Sequence, residues 1–184
     1  THLYSCTSSV HRRNAFRYAG IVEAAYLLDD MTVEIIADGV HLPPDLLRLV
    51  YKIKGPEHTA LVTDSMRGAG MPDGKSILGS LDNGMEVLIE DGVAKLPDRS
   101  AFAGSVALCN RLVKNMVTLA DVELAQAVRM ATETPARIMR LHNKGSLIPG
   151  YDADITIFDK DFCIERTICG GRTVYRAEKE GTPS

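Results

Sequence analysis

Two short apolar runs, each ending on an ionisable side chain, constrain the fold of this chain most strongly. Residues 32–37 lead into Asp38-Gly39-Val40-His41, and residues 59–63 lead into Asp64. Runs of this length, rich in β-branched residues, are typical of buried β-strands. Residues 43–54 lie between them and carry apolar side chains at the spacing of one helical face, at Leu46, Leu47, Val50 and Ile53. A strand–helix–strand unit with polar groups at the carboxyl ends of its strands predicts the active-site face of a parallel α/β barrel, and therefore an enzyme.

Composition narrows the class of protein. The 184 residues carry a formal charge of −3 at pH 7, without the basic excess that binding to nucleic acid requires. No apolar run is long enough to cross a bilayer. The four cysteines, Cys6, Cys109, Cys163 and Cys169, are scattered and are expected to be reduced thiols. We therefore expect a cytoplasmic enzyme domain whose partners include neither nucleic acid nor a membrane.

The rest of the chain divides at a turn-rich boundary near residue 145. Before it, the sequence predicts the end of a strand at 1–6, a polar loop at 7–14, a helix at 19–28, a β-hairpin at 86–96 turning at Asp91-Gly92, a small-residue loop at 100–105, and three helices with starts near Ser105, Asp121 and Thr134. After it, three short β runs are expected at 153–159, 165–169 and 172–175. Residues 1–144 are thus expected to belong to a barrel, and residues 145–184 to a small β segment outside it.

Several motifs occur in an order that points to a known family. They are Thr1-His2-Leu3-Tyr4, Ile36–His41, Leu61–Asp64, Phe102–Ser105 and the segments 131–137 and 145–159. Together they resemble the N-acetylglucosamine-6-phosphate deacetylases, a family within the amidohydrolase superfamily. The resemblance implies an α/β fold, a partial (β/α)8 TIM barrel of the amidohydrolase type with a small C-terminal β-sandwich segment. It also implies metal-dependent hydrolysis of the acetamide of N-acetylglucosamine 6-phosphate to glucosamine 6-phosphate and acetate.

The resemblance assigns roles to particular residues. His2 matches a ligand of one divalent metal per site, zinc, iron or another, with the further ligands expected upstream of this chain. Asp64 matches the catalytic aspartate, which acts as general base and then as general acid. The implied substrate-binding residues are Ser5, Cys6, Arg13, Asp38, Gly39, Val40, His41, Phe102, Ala103 and Gly104. The implied partners are a phosphorylated amino sugar and a second copy of the chain, in a homodimer where Arg13 reaches the neighbouring subunit's substrate phosphate.

Departures from the family pattern leave the substrate open. Ser5 and Cys6 replace an Asn-Ala pair, and residues 13–16 read Arg-Asn-Ala-Phe where the family has Arg-Glu-Pro-Gly, with Arg12 and Arg17 competing for the role of Arg13. Two alternatives therefore stay open: an amidohydrolase acting on a different N-acyl amino sugar, and a non-catalytic sugar-phosphate-binding module. Because a catalytic metal typically needs three protein ligands, we expect the isolated chain, with His2 alone, to be inactive.

Overall fold

The computed structural model describes residues 1–178, and these residues form short strands and helices around one main core. In chain order the elements are β1 (His11–Arg13), β2 (Phe16–Tyr18), α1 (Ile21–Leu27), β3 (Val33–Ile35), α2 (Pro44–Lys54), β4 (Thr59–Leu61), β5 (Gly74–Leu78), β6 (Met85–Glu90), β7 (Val93–Lys95), β8 (Phe102–Ser105), α3 (Cys109–Ala120), α4 (Leu124–Ala131), α5 (Glu133–Ile138), β9 (Ile155–Phe158), β10 (Ile164–Cys169) and β11 (Arg172–Arg176).

The predicted strand–helix–strand unit is confirmed as β3, α2 and β4. The two strands pair in parallel, with Val33 opposite Thr59 and Ile35 opposite Leu61. Helix α2 begins at Pro44, where the missing amide hydrogen of proline is not needed by the helix. Leu47 and Val50 of its predicted apolar face are fully buried and hold the helix in place, whereas Ile53 is exposed.

The segment before α1 differs from its prediction. Leu3 donates its amide hydrogen to the Glu34 carbonyl at 2.8 Å, so the chain start lies beside β3, but it is not a strand. Tyr4 has a positive φ of 72°, which turns the chain, and the Ser5 amide returns to the His2 carbonyl. The predicted polar loop at 7–14 includes strand β1, which pairs with β2 in a hairpin that turns at Asn14 and Ala15, both with positive φ.

A four-stranded antiparallel sheet with the strand order β5-β6-β7-β8 follows β4, and we call it the insert. The predicted hairpin is confirmed as β6–β7, and Asp91 and Gly92 both have the positive φ that a tight hairpin turn requires. The predicted loop at 100–105 is wrong, because Phe102–Ser105 is strand β8 and pairs with β7. This pairing gives ladder hydrogen bonds to a segment of small residues that has no hydrophobic period of its own.

The three predicted helices after the insert are present, but they start at other residues. Ser105 is not an N-cap, since it belongs to β8 and the N-cap position of α3 is Leu108. Asp121 does not begin α4: it ends α3 in a left-handed conformation (φ 57°), and its carboxylate pairs with Arg48 at 2.9 Å. Helix α5 begins one residue before the predicted Thr134.

The main core lies between the β3–β4 pair and helices α2, α3 and α4. Its largest fully buried side chains include Ile35, Leu42, Leu47, Val50, Leu112, Met116 and Met130. The three predicted β runs after residue 145 are confirmed as β9, β10 and β11, and these strands form one antiparallel sheet in the order β11-β10-β9. Residues 179–184, the end of the predicted segment 145–184, lie outside the described residues.

Within residues 1–178 the parallel strands do not close into a barrel, and residues 145–178 form a single sheet and not two packed layers. None of the helices in this part of the chain combines the length and the hydropathy of a membrane span.

Candidate active site

His2 and Asp64 approach each other at one edge of the parallel strands. His2 lies beside β3, and Asp64 follows β4 by three residues, with His2 Nε2 3.6 Å from Asp64 Oδ2. The His2 side chain is 17% exposed and that of Asp64 is 48% exposed. Among the described residues, His2 Nδ1 is buried and has no hydrogen-bond partner. One nitrogen of the imidazole thus faces a carboxylate, and the other is available as a donor or ligand.

The backbone of Asp64 is held in an unusual conformation by β8. Asp64 has a positive φ of 47°, a left-handed conformation that disfavours most side chains but is tolerated by aspartate. Its carbonyl accepts the Ser105 amide hydrogen at 3.2 Å, and the Ser105 carbonyl accepts that of Met66 at 2.9 Å. These bonds fix the backbone on both sides of Asp64 while its carboxylate stays accessible.

Asp38 and His41 form a second, buried pair. The Asp38 Oδ2 lies 2.7 Å from His41 Nδ1, and Oδ1 accepts the amide hydrogens of Val40 and His41 at 2.9 and 2.8 Å. Burial raises the pKa of the Asp38 carboxyl, but these hydrogen bonds outweigh it and hold the pKa below its ordinary value. Asp38 is therefore a carboxylate at neutral pH, which makes His41 Nδ1 the donor and leaves Nε2 for a ligand.

Strand β8 connects the two pairs. The Phe102 ring lies against the His41 imidazole, with centroids 5.0 Å apart and planes tilted by 55°. Ala103 is buried, and Gly104 has a φ of 101°, which a residue with a side chain rarely adopts. Since Ser105 binds the Asp64 backbone, this one strand contacts both the buried pair and the accessible pair.

Three other predicted site residues, Ser5, Cys6 and Arg13, are exposed. Ser5 and Cys6 are exposed and follow the turn that begins at His2. Arg13 lies exposed on β1 opposite Phe16, and within residues 1–178 no ion pair or hydrogen bond ties its side chain to the two pairs. The structure thus brings together His2 with Asp64, and Asp38 and His41 with Phe102.

The donor set for a metal is partial. No group of three or more His, Cys, Asp or Glu side chains in the described part of the chain is placed to hold a metal ion. His2 and Asp64 are of the types that bind zinc or iron, and the unbonded Nδ1 and the 3.6 Å approach fit a ligand role. Two donors are fewer than the three that catalytic sites usually supply, so residues 1–178 do not by themselves form such a site.

Sequence reasoning missed two side chains of α3 that contact the site backbone. Arg111 and Asn115 donate to the carbonyls of Asp38 and Ala37. They are four residues apart on one amphipathic helix, where polar residues are ordinarily assigned to the solvent-facing side.

His2 lies beside the parallel strand β3 and Asp64 follows β4, and the sequence model of the amidohydrolase family matches residues 1–174. The chain belongs to the amidohydrolase family. It is 34% identical to the N-acetylglucosamine-6-phosphate deacetylase of Lysinibacillus sphaericus, over 94% of this chain and 42% of that protein. It is 30% identical to the N-acetylgalactosamine-6-phosphate deacetylase of a Shewanella species, over 97% of this chain and 43% of that protein.

The chain is also similar in structure to a deacetylase of this kind. A mutant N-acetylglucosamine-6-phosphate deacetylase of Mycobacterium smegmatis, in complex with N-acetylglucosamine 6-phosphate, matches with a TM-score of 0.83 and 30% identity. The match covers 94% of this chain and 44% of that one. The predicted resemblance is confirmed, and the chain spans less than half the length of these three proteins.

Proposed function

We propose that this chain supplies part of the active site of a deacetylase that hydrolyses the acetamide of N-acetylglucosamine 6-phosphate. The observation that carries the proposal is the approach of His2, beside β3, to Asp64, after β4, in a chain of the amidohydrolase family. Relatives named as deacetylases of phosphorylated amino sugars support the substrate class. The products are acetate and glucosamine 6-phosphate.

Asp64 carries the proton transfers in this proposal. Its carboxylate takes a proton from the attacking water as the water oxygen bonds to the acetyl carbon. The same carboxyl then gives the proton to the sugar nitrogen as the C–N bond breaks. Its half-exposed position allows a substrate to reach it, and the backbone bonds to β8 hold it in one place. Positioning of this kind lowers the barrier because the reacting groups are already oriented.

A divalent metal ion, zinc, iron or another, fits the same site. When bound, it would polarise the acetamide carbonyl and lower the pKa of the attacking water. His2 would be one of its ligands, and further ligands would come from outside residues 1–178. The isolated 184-residue chain is accordingly proposed to be inactive.

Substrate contacts are assigned to the second pair and to the residues beside it. Asp38 fixes His41 so that Nε2 faces a sugar hydroxyl or phosphate oxygen, and Phe102 forms an apolar wall. The backbone of Gly39, Val40, Ala103 and Gly104 completes this wall, and Ser5 and Cys6 supply small groups near the acetamide. Arg13 binds the phosphate from the partner subunit of a homodimer, since a guanidinium binds phosphate oxygens in a bidentate way.

The proposed fold is that of a larger amidohydrolase, of which this chain forms a part. Residues 1–144 form part of a (β/α)8 barrel, and residues 145–184 form part of a small β-sandwich. The parallel β3–β4 pair, with Leu3 on one side and a parallel bridge from Ser65 to Ser105 on the other, supports the barrel assignment. The proposed location is the cytoplasm.

A second candidate is a deacetylase for a different N-acyl amino sugar. Ser5 and Cys6 depart from the family pattern, and the relatives include an N-acetylgalactosamine-6-phosphate deacetylase. The two sugars differ only in the orientation of one hydroxyl group, so a small change in the pocket wall would separate them.

The experiment measures acetate released from both sugar phosphates by the natural gene product that contains these residues, with zinc or iron added. Asp64→Asn should lower kcat by about 10²–10⁴-fold, the usual contribution of a positioned proton-transfer group. Asp73→Asn, at the exposed aspartate directly before β5, is the matched control and should leave kcat unchanged. A folded, metal-loaded protein that releases no acetate from either sugar would overturn the proposal, and full activity in Asp64→Asn would favour a binding module.

A further inference from the structure

We propose that Arg111 is a positioning residue that orients the Asp38–His41 pair and couples it to the insert. The inference rests on the proposed function, in which His41 contacts the substrate. Arg111 lies in the first turn of α3 and is half-buried. Within residues 1–178 it forms no ion pair with a carboxylate, and its guanidinium binds backbone carbonyls instead.

The backbone that follows β3 leaves the sheet. The last carbonyl of β3, that of Ile35, accepts the Val62 amide hydrogen at 3.0 Å. The following residues, Ala37 and Asp38, are buried beyond the end of the strand pair, so their carbonyls need other donors. Asn115 Nδ2 donates to Ala37 at 3.0 Å, and Arg111 Nη2 donates to Asp38 at 2.7 Å. Helix α3 therefore completes the hydrogen bonding of the segment that carries the buried pair.

Helix α3 lies close to this segment at Gly39. Gly39 has a φ of 80°, and a Cβ built there would lie 3.0 Å from Leu119 Cδ1 and 3.3 Å from Asn115 Nδ2. Arg111, Asn115 and Leu119 follow at intervals of four, which places them on one face of α3. That face lies directly on the Asp38-Gly39 turn, so a movement of α3 would move the turn.

Arg111 also binds the insert. Its Nη1 donates to the Gly92 carbonyl at 2.9 Å, in the turn between β6 and β7. A planar guanidinium presents its donors in a fixed fork, so it sets the separation of the Gly92 and Asp38 carbonyls. The same insert carries Phe102, whose ring contacts His41. Arg111 thus fixes the backbone beneath His41 relative to the sheet that covers it.

The test compares Arg111→Lys with the wild-type gene product in substrate affinity. One ammonium cannot bind both carbonyls in the same fork, so Lys should not restore the wild-type value. We expect KM for the sugar phosphate to rise about 10-fold with kcat within about 2-fold, the pattern of lost binding and not of lost chemistry. Arg137→Lys is the matched control, because Arg137 also binds a backbone carbonyl, that of Glu57, away from the two pairs.

A double-mutant cycle separates positioning from a structural tie. If Arg111 acts through His41, Arg111→Lys should add nothing to the KM of His41→Asn. Additive effects on KM would overturn the proposal, as would a wild-type KM in a variant that merely melts at a lower temperature.

A readout that needs no activity keeps the inference distinct from the proposed function. In ¹⁵N spectra of the histidine side chains, Arg111→Lys should shift the His41 signals and leave those of His2, His11, His58 and His142 unchanged. This result is expected even if the wild type releases no acetate. Unshifted His41 signals in a folded variant would overturn the positioning role by themselves.

Discussion

Lys54, a buried cation at the end of α2, holds the end of α1, and its replacement by methionine tests this role. Its Nζ donates to the carbonyls of Ala25, Leu28 and Asp29 at 3.0, 2.8 and 3.1 Å. The last carbonyls of a helix lack partners within the helix and carry partial negative charge. Helix α1 has no basic residue in its own last turn. Lys54 therefore supplies from another element the charge that α1 lacks.

The loss of stability expected for Lys54→Met depends on which of the three carbonyl groups are buried. Methionine keeps most of the length and packing of the lysine stem, so the substitution removes mainly the ammonium. Ala25 is 2% exposed, and its carbonyl would lose a charge-assisted bond worth about 1.5–3 kcal/mol. Leu28 and Asp29 are exposed, so water can replace the donor there. Since the buried ammonium also regains hydration in the unfolded chain, we expect a net loss of about 2 kcal/mol in the free energy of unfolding.

Urea unfolding of the natural gene product measures this loss. The midpoint should fall in Lys54→Met while the m-value stays the same, because the surface exposed on unfolding is unchanged. Lys52→Met is the matched control, since Lys52 is exposed on the same helix. A loss at Lys54 no larger than the loss at Lys52 would refute the reasoning.

Two further predictions concern the buried pair. Because the pKa of Asp38 lies below its ordinary value of 3.8, the stability contributed by its carboxylate is present at neutral pH and is lost as the pH falls through the lowered pKa. Urea midpoints measured down to pH ~3 should therefore fall less steeply in Asp38→Asn than in the wild type, and parallel curves would contradict the ionised pair. Gly39→Ala should lower the Tm more than Gly70→Ala, because both glycines have positive φ but only Gly39 has α3 within 4 Å. Equal losses would mean that α3 does not restrict the turn.

The central unit is predictable from sequence because its parts have distinct apolar patterns. Two β-branched runs and one amphipathic stretch specify β3, α2 and β4. The dipeptide Asp91-Gly92, whose residues both adopt positive φ, specifies the β6–β7 hairpin. The polar residues that follow the strands are predictable for the same reason. The carboxyl ends of parallel strands lie at one edge of a sheet, so residues such as Asp38 and Asp64 are expected there.

Other features depend on contacts that are distant in sequence. Phe102–Ser105 lacks an alternating pattern and is a strand because β7 lies beside it. Asp121 has the side chain of a good N-cap, but here it ends α3, where its carboxylate meets Arg48. Arg111 could not be assigned from sequence either, since its two carbonyl partners lie 19 and 73 residues away.

The two pairs of the site differ in burial, and the difference matches the work proposed for each. In the Asp38–His41 pair, both carboxylate oxygens of Asp38 have donors, the side chain of Asp38 is fully buried, and His41 is 8% exposed. Such a pair holds one imidazole nitrogen in a fixed direction, which suits recognition of a sugar. In the His2–Asp64 pair, the two side chains are 3.6 Å apart and the Asp64 carboxylate is half-exposed, so it is accessible from solvent. A group that must accept and release a proton needs this accessibility, and β8 ties the rigid pair to the accessible one.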